Sequence, residues 1–230
     1  MVIRLALEKG LQEEGTLCWG LDYPGCFSHG ADDAEALIKF PQVLLKHEAW
    51  LNLHTDTPWF QLDDMDFRVI ESFACHTVEL NGAICEVNAF FDDDLRVLSE
   101  SDISQALLIF DWQREELLAG IETLPTDFLQ RLFPGQRWSV KGILGHIATA
   151  ERYYLQCIGV QASSPDQSDP IALLQHSANL VHEHLPGLIN SDLHTTIECE
   201  DWTPRKFVRR ELWHQRDHIG HIRQLVDQYL

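Results

Sequence analysis

Three histidines lie within eight residues of the last long segment of the chain: His214, His218 and His221 in WHQRDHIGHIRQL. At about 100° per residue on a helix, His214 and His218 project about 40° apart and one turn apart in height. Two imidazoles at i and i+4 can close on a single ion, a spacing that recurs in metal clips. The same stripe carries Phe207, Glu211, Ile222 and Leu225, so it should face a protein interior. Neutral imidazoles there would cost free energy unless a partner satisfies their ring nitrogens, and a metal does so.

A third ligand should come from another helix. His146, in KGILGHIATAERYYL, sits beside Ile143, Ile147 and Ala150. Gly142 and Gly145 would let a second helix approach closely. Three neutral histidines leave a position free for water or substrate, as a catalytic rather than a structural site does. His221 is the rival for a ligand role, and Glu151 is a candidate outer partner that orients a ring. No residue is singled out as the catalytic acid, base or nucleophile.

Other chemistry-bearing residues have plainer readings. The chain holds 12 histidines and 6 cysteines. His47, His54, His176 and His194 read as surface residues, and the cysteines, with no CxxC pair, as free buried thiols. Cys26 and His29 beside Pro24-Gly25 read as parts of a turn. Asp92-Asp93-Asp94 lacks calcium-loop spacing and reads as a solvated turn.

The elements that must position these residues divide the chain in two, giving an α+β two-domain fold. Residues 1–100 read as a small β-sheet with a helix. Val2 to Glu8 alternates apolar and polar residues, and Leu17 to Asp22 resembles a second strand. A helix spans Ala31 to about Leu51, with Asp32 and Asp33 at its positive end and Pro41 as a kink or break. Residues 52–66 read as a loop. Phe67–Leu80 and Ala83–Phe91 then form a hairpin across Asn81-Gly82, a pair suited to two positive φ angles.

Residues 101–230 read as a four-helix bundle. Ser101 caps a helix over Asp102 to Glu122, with Ile103, Leu107, Phe110, Leu117, Leu118 and Ile121 inward. Leu124 to Trp138 is a loop. Ser139 caps a second helix to Ile158, and residues 159–169 are a polar connector. Asp169-Pro170 and Thr203-Pro204 each pair a cap with a first-turn proline, opening the third and fourth helices.

The net charge is −19, with 6 basic and 19 acidic residues in residues 1–100. Such a surface repels phosphate backbones, so nucleic acid and anionic membrane are poor partners. The cluster Arg205-Lys206 with Arg209-Arg210 reads as a solvated helix face. No apolar run reaches the length of a membrane span, and the N-terminus lacks a signal peptide's apolar core. The expectation is a soluble, cytoplasmic protein.

Trp138, His146 and Glu151, followed by His214, His218 and Gly220, resemble the DinB/YfiT-like family of metalloenzymes over residues 101–230. His221 stands where the family often has Gln. The resemblance implies an up-down-down-up bundle, a zinc or nickel ion on His146, His214 and His218, and a homodimer. It also implies a low-molecular-weight thiol as cosubstrate, since relatives include thiol-dependent transferases and isomerases. Over residues 1–50, CWGLDYPGCFSHGADDAEAL resembles the HicB-like antitoxin domain through its Pro-Gly-Cys turn and acidic, Ala-rich helix start.

Two functions follow. One is a metal-dependent enzyme on a small-molecule substrate, a thiol-dependent transferase or a hydrolase. The other is a binding or regulatory protein, with the HicB-like half meeting a partner and the helices as scaffold.

Overall fold

Ile3, Leu5 and Leu7 alternate along the first strand and share a core with Ala36, Phe40 and Leu44 of the first helix. The period of two on one partner and four on the other brings apolar rows face to face. In the computed structural model, which describes residues 2–10, 15–62, 65–161 and 169–230, this core belongs to the first of two units. That unit comprises Met1–Arg96 with His194–Lys206; the second comprises Val97–Leu193 with Phe207–Leu230.

In the first unit, β1 (Val2–Lys9), β2 (Thr16–Gly20), β3 (Phe27–Gly30), α1 (Asp33–Asn52) and β4 (Asp66–Ala74) follow in order. The sheet order is β3-β2-β1-β4, antiparallel except for the parallel β1–β4 pair. β3 was not anticipated: at four residues it is too short to show a period. Gly30 at its end is required by contact, since a Cβ there would lie 2.2 Å from the backbone nitrogen of Ala36. Asp32 caps α1 by accepting from Glu35 N, and the helix runs unbroken through Pro41.

The expected long strand from Phe67 to Leu80 divides at Cys75, whose N–H donates to Lys9 O. β5 (His76–Leu80) and β6 (Ala83–Val87) form the hairpin. Its Asn81 and Gly82 have φ of 52° and 81°. β1 pairs at both edges, with β2 and β4, and Glu8 near its end is buried. The Glu8 carboxylate accepts from Trp19 Nε1 and Ala89 N, both at 3.0 Å.

Two surface expectations fail here. Asp93 and Asp94 are buried in a short 3-10 turn. Asp93 accepts from Arg4 and Arg96 at 2.7 and 2.8 Å, and Asp94 from Phe91 N at 2.9 Å. His47 is buried on α1. A hydrogen-bonded polar group is tolerated inside, and composition alone does not show which partners exist.

The second unit is helical: α2 (Glu100–Glu122), α3 (Thr126–Gln130), α4 (Val140–Cys157) and α5 (Pro170–His184). The chain then forms a hairpin of β7 (Thr195–Ile197) and β8 (Glu200–Trp202) in the first unit, before α6 (Pro204–Tyr229). Ser99 caps α2, two residues before the expected Ser101, in a reciprocal box with Asp102. Ser139 and Asp169 cap α4 and α5 as read, and Lys206 N donates to Thr203 Oγ1 at the start of α6. α3 and the β7–β8 hairpin were not anticipated, being too short for periodicity to register. Most of the expected polar connector, residues 162–168, lies outside the described residues.

One core joins α2, α3, α4, α5 and α6 through Leu117, Phe128, Ile143, Leu174, Ile219 and Ile222. The basic cluster on α6 is not a solvated face. Lys206 and Arg210 are buried; Lys206 pairs with Glu200 at 2.7 Å and donates to Asp201 O at 2.8 Å. Arg210 lies over the Trp213 ring at 5.2 Å. Among the described residues, no helix is long and apolar enough to cross a membrane.

Candidate metal centre

α4 and α6 each turn an apolar stripe to the helical core, and the three histidines sit on those stripes. His146 is flanked by the buried Ile143 and Ile147; His214 and His218 are followed by the buried Ile222 and Leu225. The Nε2 atom of His214 lies 3.1 Å from that of His146 and 3.1 Å from that of His218. One ring nitrogen from each of the three residues falls within 4.8 Å of the others. Ligands about 2.0–2.1 Å from a tetrahedral zinc would lie about 3.4 Å apart. The donor atoms thus converge as a shared ion requires.

Burial sets the protonation of the rings. It holds His214 well below the usual imidazole range, helped by His218, His146 and Arg210. It brings His218 down to about 3, with His146 and His221 adding to the effect. His146 is lowered by burial and then by Arg137. All three are neutral at pH 7, the form that binds a metal. The buried Nδ1 atoms of His214 and His218 have no hydrogen-bond partner among the described residues. Their rings are oriented by packing: Trp213 and Tyr154 each lie 5.9 Å from the His214 ring. Trp138 stacks on His146 at 4.3 Å, 20° from parallel.

The two outer candidates do other work. His221 is not in the cluster; its Nε2 pairs with Gln136 Oε1 at 2.7 Å. Glu151 makes no hydrogen bond to a histidine ring among the described residues. Its carboxylate accepts from Arg114 and from Ser177 Oγ, all three buried. Arg114 also donates to Gln215 Oε1 at 2.7 Å and Leu174 O at 3.1 Å. Glu211 belongs to this network, one turn before His214. Neither of its oxygens meets a donor N–H or hydroxyl among the described residues. Burial first, then the charge of Glu151, hold its carboxyl well above the ordinary range. The raised pKa favours the protonated form of Glu211 beside Glu151, whose own pKa is raised by burial.

Of the paired glycines on α4, Gly142 alone is crowded: a Cβ there would lie 3.0 Å from Trp138 Cβ, whereas Gly145 faces open space. Gly142 thus serves the seating of Trp138, not a helix contact. Arg114 and Gln215 were missed, although polar residues at inward helical positions are readable from the period. Cys26 is buried and its thiol is pushed up by burial; Cys18 is pushed up to about 12. Neither is a nucleophile at pH 7. A cavity of about 750 Å³ among α2, α3, α4 and α5, floored by Leu118, Leu129 and Leu144, contains none of the three histidines.

Residues 109–222 match the model of the DinB superfamily. The DinB-like segment contains all three histidines, and members of the superfamily often bind metals. The match does not reach residues 1–50, so the HicB-like resemblance of that segment has no support from it. No curated protein and no solved structure matches the chain.

Proposed function

We propose that this chain is a metal-dependent enzyme acting on a small molecule. In this reading α2, α4, α5 and α6 form a four-helix bundle of up-down-down-up topology. His146, His214 and His218 hold one divalent ion. The observation that supports it is the convergence of three neutral Nε2 atoms from two helices. The three-nitrogen donor set suits zinc or nickel and leaves a position open. When bound, the ion supplies Lewis-acid activation, lowering the pKa of a thiol or water toward neutrality. That is the chemistry of a thiol-dependent transferase or a hydrolase.

The chain's own residues keep the rings neutral and in place. Trp138 and Tyr154 hold His146 and His214 by contact, and Gln136 ties His221 beside the group. The Arg114–Glu151–Ser177 network fixes α2, α4 and α5 around it, and Gln215 brings α6 in by accepting from Arg114.

Elemental analysis of the purified full chain tests the reading. One zinc or nickel ion per chain is expected, falling to a trace in His214→Ala. A chain that carries no transition metal, and takes up none from added zinc, would overturn it.

A further inference from the structure

The loop before α4 is fastened at two points beside the three histidines. On one side Gln136 Oε1 pairs with His221 Nε2 on α6. On the other, Trp138 stacks on the His146 ring and packs against Gly142 of α4. Arg137 stands between these anchors. It is exposed, and its guanidinium lies over the Trp138 ring at 4.6 Å. Among the described residues it makes no hydrogen bond and no ion pair.

In a chain with 36 acidic and 17 basic residues, several guanidinium groups find a carboxylate: Arg4, Arg96, Arg114, Arg131, Arg216 and Arg223 each do. Arg137, like the exposed Arg68, pairs with none among the described residues. A guanidinium lying over an indole keeps its N–H edge free, and that edge matches the two oxygens of a carboxylate. The charge is felt at the histidines as well. After burial, the charge of Arg137 is what lowers the His146 pKa. The surface as a whole repels anions, but an exposed guanidinium with a free N–H edge attracts them.

We propose that Arg137 is the anion-recognising residue of this site and that its substrate is a small organic carboxylate, seated on the Arg137–Trp138–His146 column. The proposal rests on the three-histidine reading for what happens to the substrate, but the binding it describes is measurable without a metal.

Calorimetric titration of the full chain with benzoate, and with neutral benzamide of the same shape, provides the test. Each is run on metal-free and cobalt(II)-loaded protein, with the cobalt visible spectrum recorded in parallel. Benzoate should bind more tightly than benzamide, and Arg137→Gln should remove that preference. The expected loss is about fivefold, the upper end for an exposed ion pair. Arg137→Lys should retain part of it, and the cobalt spectrum of each variant without ligand should match the parent. Equal binding of benzoate and benzamide, or an unchanged preference in Arg137→Gln, would overturn the proposal. Absence of a cobalt spectrum would overturn the metal reading instead, leaving the metal-free titration to decide the anion preference. Arg137 is exposed, so its replacement leaves the fold intact.

Discussion

His146 and His214 are 68 residues apart in the chain, and their Nε2 atoms are 3.1 Å apart. Two neutral rings at that distance can share at most one proton. A third ring nitrogen, from His218, lies 3.1 Å from that of His214. Electrostatically the cluster is poor at holding protons and well suited to holding a cation with an open coordination position. Loading with zinc at about a hundred times its Kd should add about 2.7 kcal/mol of stability. In a chain of this size that is about 5–10 °C in Tm. Scanning calorimetry with and without chelator checks it; an unchanged Tm would mean no ion is held.

Trp138 determines how the His146 ring is presented. Trp138→Ala should weaken zinc binding by about tenfold, as loss of a ligand-orienting neighbour does, with little effect on the far-ultraviolet circular dichroism. Gly142→Val should act in the same direction by pushing Trp138 aside. Competition with a chromophoric chelator measures both. Unchanged affinity in either variant would detach the tryptophan from the site.

Arg114 and Glu151 are buried and paired, so each needs the other. Arg114→Ala should destabilise the helical unit by about 3–5 kcal/mol, because a buried carboxylate loses its counter-charge. Replacing Arg114 by Met together with Glu151 by Leu should recover much of that loss. Urea denaturation of the single and double variants gives the coupling directly.

Glu211 predicts a pH dependence. Its folded-state pKa is raised, by burial first and then by Glu151. The stability it contributes is therefore fully present below the ordinary glutamic-acid pKa and is lost as pH rises through the folded value. Glu211→Gln keeps a donor for Glu151 without a proton to lose. The variant should gain on the parent as pH is raised from 5 to 8, read as the difference between their urea midpoints. A constant difference across that range would show that the folded-state pKa of Glu211 is not raised above its unfolded value.

Gly30 provides a test in the N-terminal unit. A Cβ at this position would meet the backbone nitrogen of Ala36 at 2.2 Å, and backbone cannot step aside as a side chain can. Gly30→Ala should cost about 3 kcal/mol, at the upper end for overpacking. Thermal unfolding followed by Trp fluorescence checks it.

The three histidines were legible before any coordinates, and so were the long helices. Local chemistry explains this: an i, i+4 pair on an apolar stripe, and a Ser or an Asp-Pro at a helix start, act within a turn or two of the chain. The hairpin at Asn81-Gly82 was legible for the same reason. The partners of the buried charges were not. The Glu151 carboxylate bonds Arg114 and Ser177 instead of a histidine ring, Lys206 pairs with Glu200 rather than with water, and Asp93 takes two arginines. Each of those choices depends on which distant side chain arrives at hydrogen-bonding distance once the helices and strands have packed, and burial then decides which groups stay charged. The same holds for Arg137. Its neighbour Trp138 is visible in the sequence, but its placement between two anchors beside the histidines arises only when α4 and α6 come together.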